Sequence, residues 1–378
     1  MALFVWSWSK FAVTSKERVF LALQRKPVDR VPIFMWYHPQ TTRRLGMLLD
    51  IPSKYVPLAM GDDIRQAWVS NNHAMEGIVH EHDGESHVDD WAIEWTRIDG
   101  FNQISKYPLA DADEQQLLRY RFPFDRIGPL VNLMKPVMKF KDDYFVGCDV
   151  SPCVFEMYWR LRGMEKTLQE IASNPGLTQE MLKRSAEFSI ALSEEACRRF
   201  DLDWLWLGDD AAGQKSMLMG PDAWRQMVKP LLKNNAEVGK RHGLYVAFHS
   251  CGAIRPIIED LIEIGVDVLN PIQCNCPGMN PLELKREFGK ELAFMGGVDT
   301  QGVLPNGTAH QVRKATAELL EGMAAHGGGY IFAASHTVPP ETPDDNIFAM
   351  YDEAGVTKEE IFDNAARIRK FLRQSNVV

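Results

Sequence analysis

The chain has 378 residues, of which 45% are hydrophobic and 25% charged, and this ordinary globular composition supplies a large core and disfavours intrinsic disorder. Its formal net charge of −9 disfavours a general nucleic-acid binder, because such a protein would present a basic face to the phosphates. Six cysteines are too few and too scattered to staple a chain of this length, so we expect a reducing, cytoplasmic location.

The first residues form an apolar and aromatic segment. Residues 1–8 lack the basic region and the small-residue cleavage site of a signal peptide, and polar residues at Ser7, Ser9 and Lys10 interrupt the segment. It is also too short to span a membrane. We therefore predict an N-terminal arm over residues 1–13, packed on the body of the protein or on a second subunit of a homodimer.

The body begins with a helix and a strand. Thr14 and Glu17 form a capping-box pattern, which predicts a short helix that ends before Pro27. The apolar run at residues 31–37 predicts a strand buried on both faces. Residues 61–63 are expected to end an early strand, and the less regular stretch of about 64–143 is interpreted as an insertion over the mouth of the fold.

From about residue 176 the helices and strands alternate regularly. Apolar strands are predicted at residues 203–208, 244–249, 266–271, 292–297 and 330–334, each after an amphipathic helix. Five such units require a parallel sheet covered by helices, which a doubly wound sheet would also satisfy. The sequence has no glycine-rich phosphate loop after a strand, and polar residues recur at the strand ends. This pattern favours an α/β fold, a (β/α)₈ TIM barrel with its site at the carboxyl ends of the strands.

A histidine and a cysteine follow one of these strands. His249 and Cys251 stand one residue apart, so strand alternation aims both side chains to the same side, and an imidazole and a thiolate are natural zinc ligands. For a third ligand, His336 is favoured by its position after the last strand, and Cys274 or Cys276 by ligand chemistry. A hydrogen-bonded histidine beside a buried cysteine would equally explain the pair taken alone.

Other strand ends also carry polar or aromatic residues. Asp209 and Asp210 are paired carboxylates that can orient a substrate hydroxyl, complete a metal shell or hold a catalytic proton, although helix capping explains one of them equally well. The candidates for substrate binding all lie at or near the predicted ends of strands, and they are Trp36, Tyr37, His38, Asp63, Gln214, Gln273 and Asp299.

Short segments in a fixed order along the chain resemble uroporphyrinogen decarboxylase-like proteins. They are residues 14–18, 27–32, 161–163, 208–210, 249–252, 296–299, 335–336 and 343–347. The resemblance runs from about residue 14 to the end and implies a single (β/α)₈ barrel over residues 14–378. The true decarboxylases carry an arginine-rich motif after the first strand. Here residues 36–44 are mainly aromatic and polar, which disfavours porphyrinogen decarboxylation.

The methyltransferase branch of this superfamily is the better match. Its members hold zinc with an H-x-C pair and a later cysteine, and they pass a methyl group to or from a corrinoid. The resemblance therefore implies that His249, Cys251 and His336, which stands in place of the later cysteine, hold Zn²⁺. It implies a cobalt corrinoid carried by a separate partner protein, and a small-molecule methyl donor. We expect an O-demethylase of methoxylated aromatic compounds, in which Asp209 and Asp210 act with His249 as catalytic residues.

Three other functions stay open at this point. One is a metal-free decarboxylase of a carboxylated heterocycle, in which Asp63 would steady a developing cation. Another is a methylcobalamin:thiol methyltransferase, and the third is a non-catalytic barrel that only binds a ligand.

Overall fold

The computed structural model describes residues 13–73, 80–324 and 328–374. Residues 1–12, which form most of the expected N-terminal arm, lie outside the described residues. The strands in chain order are β1 (Ile64–Trp68), β2 (Ser86–Val88), β3 (Glu94–Ile98), β4 (Phe101–Lys106), β5 (Phe145–Asp149), β6 (Trp204–Gly208), β7 (Tyr245–His249), β8 (Val268–Ile272), β9 (Ala293–Gly296) and β10 (Tyr330–Ile331).

Helices surround these strands. In chain order they are α1 (Ser15–Leu23), α2 (Pro39–Leu49), α3 (Val56–Ala59), α4 (Glu114–Arg119), α5 (Ile127–Val131), α6 (Phe155–Arg162), α7 (Met164–Ser173), α8 (Pro175–Arg199), α9 (Pro221–Met227), α10 (Lys229–Arg241), α11 (Ile258–Glu263), α12 (Pro281–Phe288), α13 (Val303–Asn306), α14 (Ala309–Ala324), α15 (Asp344–Glu353) and α16 (Lys358–Gln374).

Seven strands form one parallel sheet in the order β1-β5-β6-β7-β8-β9-β10. The eighth position belongs to the first apolar run. Ile33 pairs in parallel with Phe332 and Tyr37 with Val338, while on the other side the amide of Asp63 donates to the carbonyl of Ile33 at 2.8 Å. The first run thus lies between β10 and β1, and the fold is a (β/α)₈ TIM barrel, as the sequence predicts.

The first run makes isolated bridges where the sequence predicts a continuous strand. The reason is that two of its amides donate to side chains of the neighbouring turn and not to a backbone ladder. The amide of Ile33 donates to Asp63 Oδ2 at 2.8 Å, and that of Met35 donates to Asp62 Oδ2 at 3.0 Å. Among the described residues, the first run and β1 do not form a regular ladder of backbone hydrogen bonds. We call the boundary between residues 33–37 and 64–68 the seam.

Inward-facing side chains of alternate strand positions fill the barrel. Phe34, Trp204 and Trp206 pack there against small residues such as Ala247 and Ala293. Large and small residues alternate in this way because the interior must be filled to crystal-like density without overlap. These aromatic side chains therefore fill the interior of the barrel up to its mouth.

The insertion lies over the mouth, and it begins later than the sequence suggests. Its strands β2, β3 and β4 form a separate antiparallel sheet between β1 and β5. Because β1 pairs with β5 inside the barrel, residues 64–68 belong to the barrel and the predicted start at residue 64 is wrong. Residues 61–63 accordingly precede a barrel strand, where the sequence suggested that they end one.

Local signals in the sequence explain several element boundaries. The capping box predicted at Thr14 is present, since its side chain accepts from the amide of Glu17. The same arrangement precedes α14, where the side chain of Thr308 accepts from the amide of Gln311. The helical region between β6 and β7 is divided into α9 and α10 at Val228, because Pro230 fits only the first turn of a new helix.

Candidate functional site

Three metal-ligating side chains meet at the mouth of the barrel. One ligand atom from each of His249, Cys251 and His336 lies within 4.8 Å of the others. The Sγ of Cys251 is 3.5 Å from Nε2 of His249. His249 ends β7, Cys251 follows two residues later, and His336 follows β10, so the barrel brings together donors from distant parts of the sequence. A His-Cys-His set of this kind suits a borderline-soft divalent ion such as zinc.

The imidazole of His249 is oriented by the next strand. Its Nδ1 lies 2.7 Å from Oδ1 of Asn270, a residue of β8 that is 3% exposed. Since an amide oxygen can only accept, Nδ1 carries the hydrogen and Nε2 keeps its lone pair for the other donors. This arrangement is typical of metal-ligating histidines, whose second nitrogen is commonly hydrogen-bonded.

The loop that carries Cys251 is held by strand-end polar groups. Asp210 Oδ1 accepts from the amide of Cys251 at 2.8 Å and lies 3.8 Å from Nε2 of His249. Gln273 Oε1 accepts from the amide of Gly252 at 2.8 Å. Gly252 has φ +88°, and a Cβ there would lie 2.5 Å from the carbonyl oxygen of Gly213, so only glycine allows this turn.

Aromatic rings surround the two histidines. The Trp36 ring centroid lies 5.3 Å from that of His249 and 6.2 Å from that of His336. The ring of His336 faces the cavity and lies beside the rings of Trp36 and His249, which partly enclose it. This enclosure, and then the neighbouring His249, lower the pKa of His336 to about 4. His336 is therefore neutral at pH 7 and can act as a ligand.

A cavity of about 650 Å³ opens above the three donors, and we call it the mouth cavity. Cys251 and His336 line it together with Tyr37, His38, Gln214 and Gln273 from the predicted set. The ring of His38 packs on Phe101 of the insertion at 4.5 Å, so this wall is partly aromatic. Burial lowers the pKa of His38 and so favours its neutral form. The volume of the mouth cavity falls within the usual range for small-molecule sites.

Several predicted residues do not line this cavity. Asp63 is fully buried at the opposite, amino-terminal side of the barrel, where it accepts from Arg18 at 2.6 Å and Arg30 at 2.7 Å. The structure therefore contradicts the substrate-binding role predicted for Asp63, because its carboxylate is fully used by these arginines. Asp209 is also fully buried, and its carboxylate accepts from the amides of residues 154–156 at the start of α6. This is the capping role that the sequence analysis left open for one of the pair.

Asp299 and the two alternative cysteines also serve elsewhere. Asp299 accepts from the amides of residues 301–303 and from the side chain of Asn275. Cys274 donates to Asn275 at 3.2 Å, and Cys276 is buried. Among the described residues, neither cysteine belongs to the group that could hold a metal.

Some residues of the site could not be found from the sequence. Arg97, Phe101 and Asn102 of the insertion line the mouth cavity, as does Trp68 at the end of β1. The three insertion residues could not be identified because the sequence of a hairpin does not show which part of the fold it packs against. Asn270 had a usable signal, since an asparagine inside an otherwise apolar strand needs a buried hydrogen-bond partner.

The fold and the mouth together define a (β/α)₈ barrel protein with a three-donor candidate metal centre that faces a cavity. The chain belongs to the uroporphyrinogen decarboxylase family: a sequence model described as "Uroporphyrinogen decarboxylase (URO-D)" matches residues 118–355. The matched region begins in the insertion and includes β5 to β10 with His249, Cys251 and His336.

A solved structure shares the fold of this chain. A methyltransferase from Methanosarcina mazei is similar with a TM-score of 0.64 at 19% sequence identity, over 91% of this chain and 99% of that chain. A D-psicose 3-epimerase determined in the presence of D-fructose has a TM-score of 0.33 at 11% identity, over 84% of this chain and 92% of that one. No curated protein matches the chain. None of the described helices has both the length and the apolar character needed to cross a membrane.

Proposed function

We propose that the protein is a methyltransferase that moves a methyl group from a methoxylated aromatic compound to a cobalt corrinoid carried by a partner protein. The observation that carries the proposal is the meeting of His249, Cys251 and His336 within 4.8 Å at the floor of the mouth cavity. The similarity to a methyltransferase of the same fold agrees with this proposal. The enzyme would be an O-demethylase that acts on a small molecule.

The residues of the mouth fit a zinc ion. Two imidazoles and one thiol are ligands that zinc accepts in a tetrahedral shell, which leaves a fourth position for water or substrate. The hydrogen bond from His249 to Asn270 is the outer support that such a ligand needs. Bound zinc would supply a Lewis acid for the substrate oxygen, so that the oxygen keeps the electron pair of the broken C–O bond more easily.

The chain's own residues would position the substrate. Tyr37 and Phe101 offer aromatic surface to a ring, and Gln214 offers hydrogen bonds to its substituents. Asp210 and Gln273 act one step further away, because each accepts a backbone amide of the loop that carries Cys251. Their role is to keep the sulfur fixed in place while the substrate binds, which makes them positioning residues.

The metal-free decarboxylase is less well supported. It required a carboxylate such as Asp63 in the substrate pocket, and both oxygens of Asp63 are engaged with arginines away from the mouth. The remaining alternatives, transfer from methylcobalamin to a thiol and ligand binding without turnover, use the same cavity. The thiol methyltransferase would differ from the proposal in its product, and the binding protein would form no product.

The first experiment measures zinc content and methyl transfer together. Protein reconstituted with zinc is dialysed, its metal is quantified, and methoxybenzoates are supplied with free cob(I)alamin in place of the carried corrinoid. We expect close to one zinc per chain, and formation of the hydroxybenzoate with loss of the cob(I)alamin spectrum. Supplying methylcobalamin with a thiol instead tests the acceptor-side alternative.

Matched variants show whether the three donors are responsible. Cys251→Ser and His336→Ala should each lose zinc and methyl transfer, because either change removes a ligand. Cys274→Ser is the control, since Cys274 lies outside the donor group and should keep both properties. Zinc well below one equivalent, unchanged by Cys251→Ser, would exclude the proposed function.

A further inference from the structure

A second cavity lies along the seam between the first apolar run and β1. Its volume is about 540 Å³, and we call it the seam cavity. It shares Tyr37, Trp68 and Thr337 with the mouth cavity, but none of the three metal-ligating residues lines it. The two cavities are therefore neighbours that meet at a common wall of two aromatic residues and a threonine.

The seam cavity follows from the loose pairing of the first run with β1. The amides of Ile33 and Met35 donate to carboxylates and not to the backbone of β1, so the two segments are held apart. Tyr55 and Leu58, near α3, and Phe140, just before β5, line the outer side of the resulting gap. The gap thus has an apolar and partly aromatic wall, suited to a ring or an alkyl body.

Three cations and one acid line the seam cavity. Lys54, Arg65 and Lys139 contribute positive charge, and Arg65 lies near enough to Asp62 for its charge to act on that carboxyl group. The acid is Asp62, and both of its oxygens are already used: Oδ1 accepts from Tyr351 at 2.8 Å, and Oδ2 accepts from the amide of Met35 at 3.0 Å. The surplus of charge in the cavity is therefore positive, which favours an anionic ligand.

Two buried donors in this cavity also lack acceptors. Nη2 of Arg65 and the indole Nε1 of Trp36 are buried, and neither has a hydrogen-bond partner among the described residues. The guanidinium of Arg65 is fixed by stacking, since it lies 4.4 Å from the ring centroid of Tyr144 and 5.8 Å from that of Phe140. Neither atom is accessible from the cavity as it stands, so a ligand would reach it only after a small movement of the side chain. Buried donors without partners are costly, and an acceptor supplied by a ligand would favour that movement.

We propose that the seam cavity is a second small-molecule site, distinct from the candidate metal centre, and that it binds an aromatic carboxylate. The carboxylate would accept hydrogen bonds from Arg65 with Lys54 or Lys139 nearby, and the ring would lie against Trp36 and Tyr55. This site needs neither metal nor corrinoid, so it does not rest on the function proposed for the mouth.

The test is binding of benzoate, measured by calorimetry on metal-free protein, with benzamide as the uncharged analogue of the same shape. We expect benzoate to bind and benzamide to bind at least about tenfold more weakly, because a buried charged hydrogen bond is worth that much. Arg65→Met should weaken benzoate by a similar factor. Arg121→Met is the control, because Arg121 is exposed and does not line the cavity.

A crystal structure with 4-iodobenzoate locates the ligand by the anomalous signal of iodine. Density between the first run and β1 supports the proposal, as does loss of binding in Leu58→Trp, where the larger side chain would fill the space. Thermal unfolding of both variants shows whether they are folded. Density in the mouth cavity, no measurable binding of benzoate, or equal affinity in wild type and folded Arg65→Met would overturn it.

Discussion

Replacing Asn270 by alanine tests whether the barrel orients its candidate metal ligand. The amide oxygen of Asn270 lies 2.7 Å from Nδ1 of His249, and Asn270 is 3% exposed, so water cannot easily take its place. In Asn270→Ala the imidazole can rotate or change its tautomer, and Nε2 is no longer held toward Cys251 and His336. Loss of such an outer partner costs about 10- to 100-fold in metal affinity, which corresponds to about 1.4 to 2.7 kcal/mol.

The assay is competition for zinc with a chromophoric chelator, at pH 7 and in the presence of reductant. Asn270→Asp should keep most of the affinity, because a carboxylate also accepts from Nδ1. Asn364→Ala is the matched control, since Asn364 makes a hydrogen bond to the carbonyl of Ala59 at 3.2 Å away from the mouth. If Asn270→Ala binds zinc as tightly as the wild type does while Cys251→Ser does not, the reasoning on orientation is wrong.

Three further predictions concern stability. Asp63→Ala should lower the free energy of unfolding by about 3 to 5 kcal/mol in urea titrations, because it leaves Arg30 without a carboxylate partner and Arg18 with Asp29 alone; a loss below about 1 kcal/mol would contradict this. Burial raises the pKa of Asp62 to about 7 from 3.8, so the folded state binds more protons and its stability should fall as the pH rises from about 4 to 7. The contribution of Asp62 to this fall is at most about 4 kcal/mol, and Asp62→Asn should make the slope smaller; an equal slope in that variant would count against the assignment. Gly252→Ala should unfold at a lower temperature by calorimetry, with about 1 to 3 kcal/mol of strain from the positive φ, and unchanged melting would refute the need for glycine there.

The barrel could be predicted because its strands have a simple pattern. Strands such as β6 and β7 are continuous apolar runs, and each is set off by a glycine or a polar residue, so local information is sufficient to find them. The first run was harder, since its amides are satisfied by Asp62 and Asp63 from a later turn. A contact between distant residues of this kind leaves no periodic trace in the sequence.

Part of the candidate site could also be predicted from the sequence. His249 and Cys251 were recognisable because strand alternation fixes their relation, and barrel closure makes His336 their neighbour. The choice of His336 over the cysteines at 274 and 276 depended on how the loop after β8 folds. Asp63 was misjudged because its sequence position does not reveal whether it begins or ends a strand, and the two ends of a barrel strand lie on opposite sides of the molecule.

The segments that carried the family resemblance near the start of the chain have a structural explanation. Arg18, Asp29 and Arg30 belong to the ion-pair network that surrounds Asp63 at the base of the barrel. This network joins α1, the turn before the first run, and the turn before β1. The residues that carry the resemblance in this region therefore help to close the barrel and do not belong to the candidate functional site.

The antiparallel sheet β2–β4 has an evolutionary consequence. It stands between two barrel strands and contributes Phe101 and Arg97 to the wall of the mouth cavity, while the metal-ligating side chains come from the opposite half of the chain. Mutations, or a change of length, in this one hairpin region can thus alter which molecules are accepted without disturbing the donors beneath. The lining of the cavity can therefore change in evolution independently of the three candidate metal ligands.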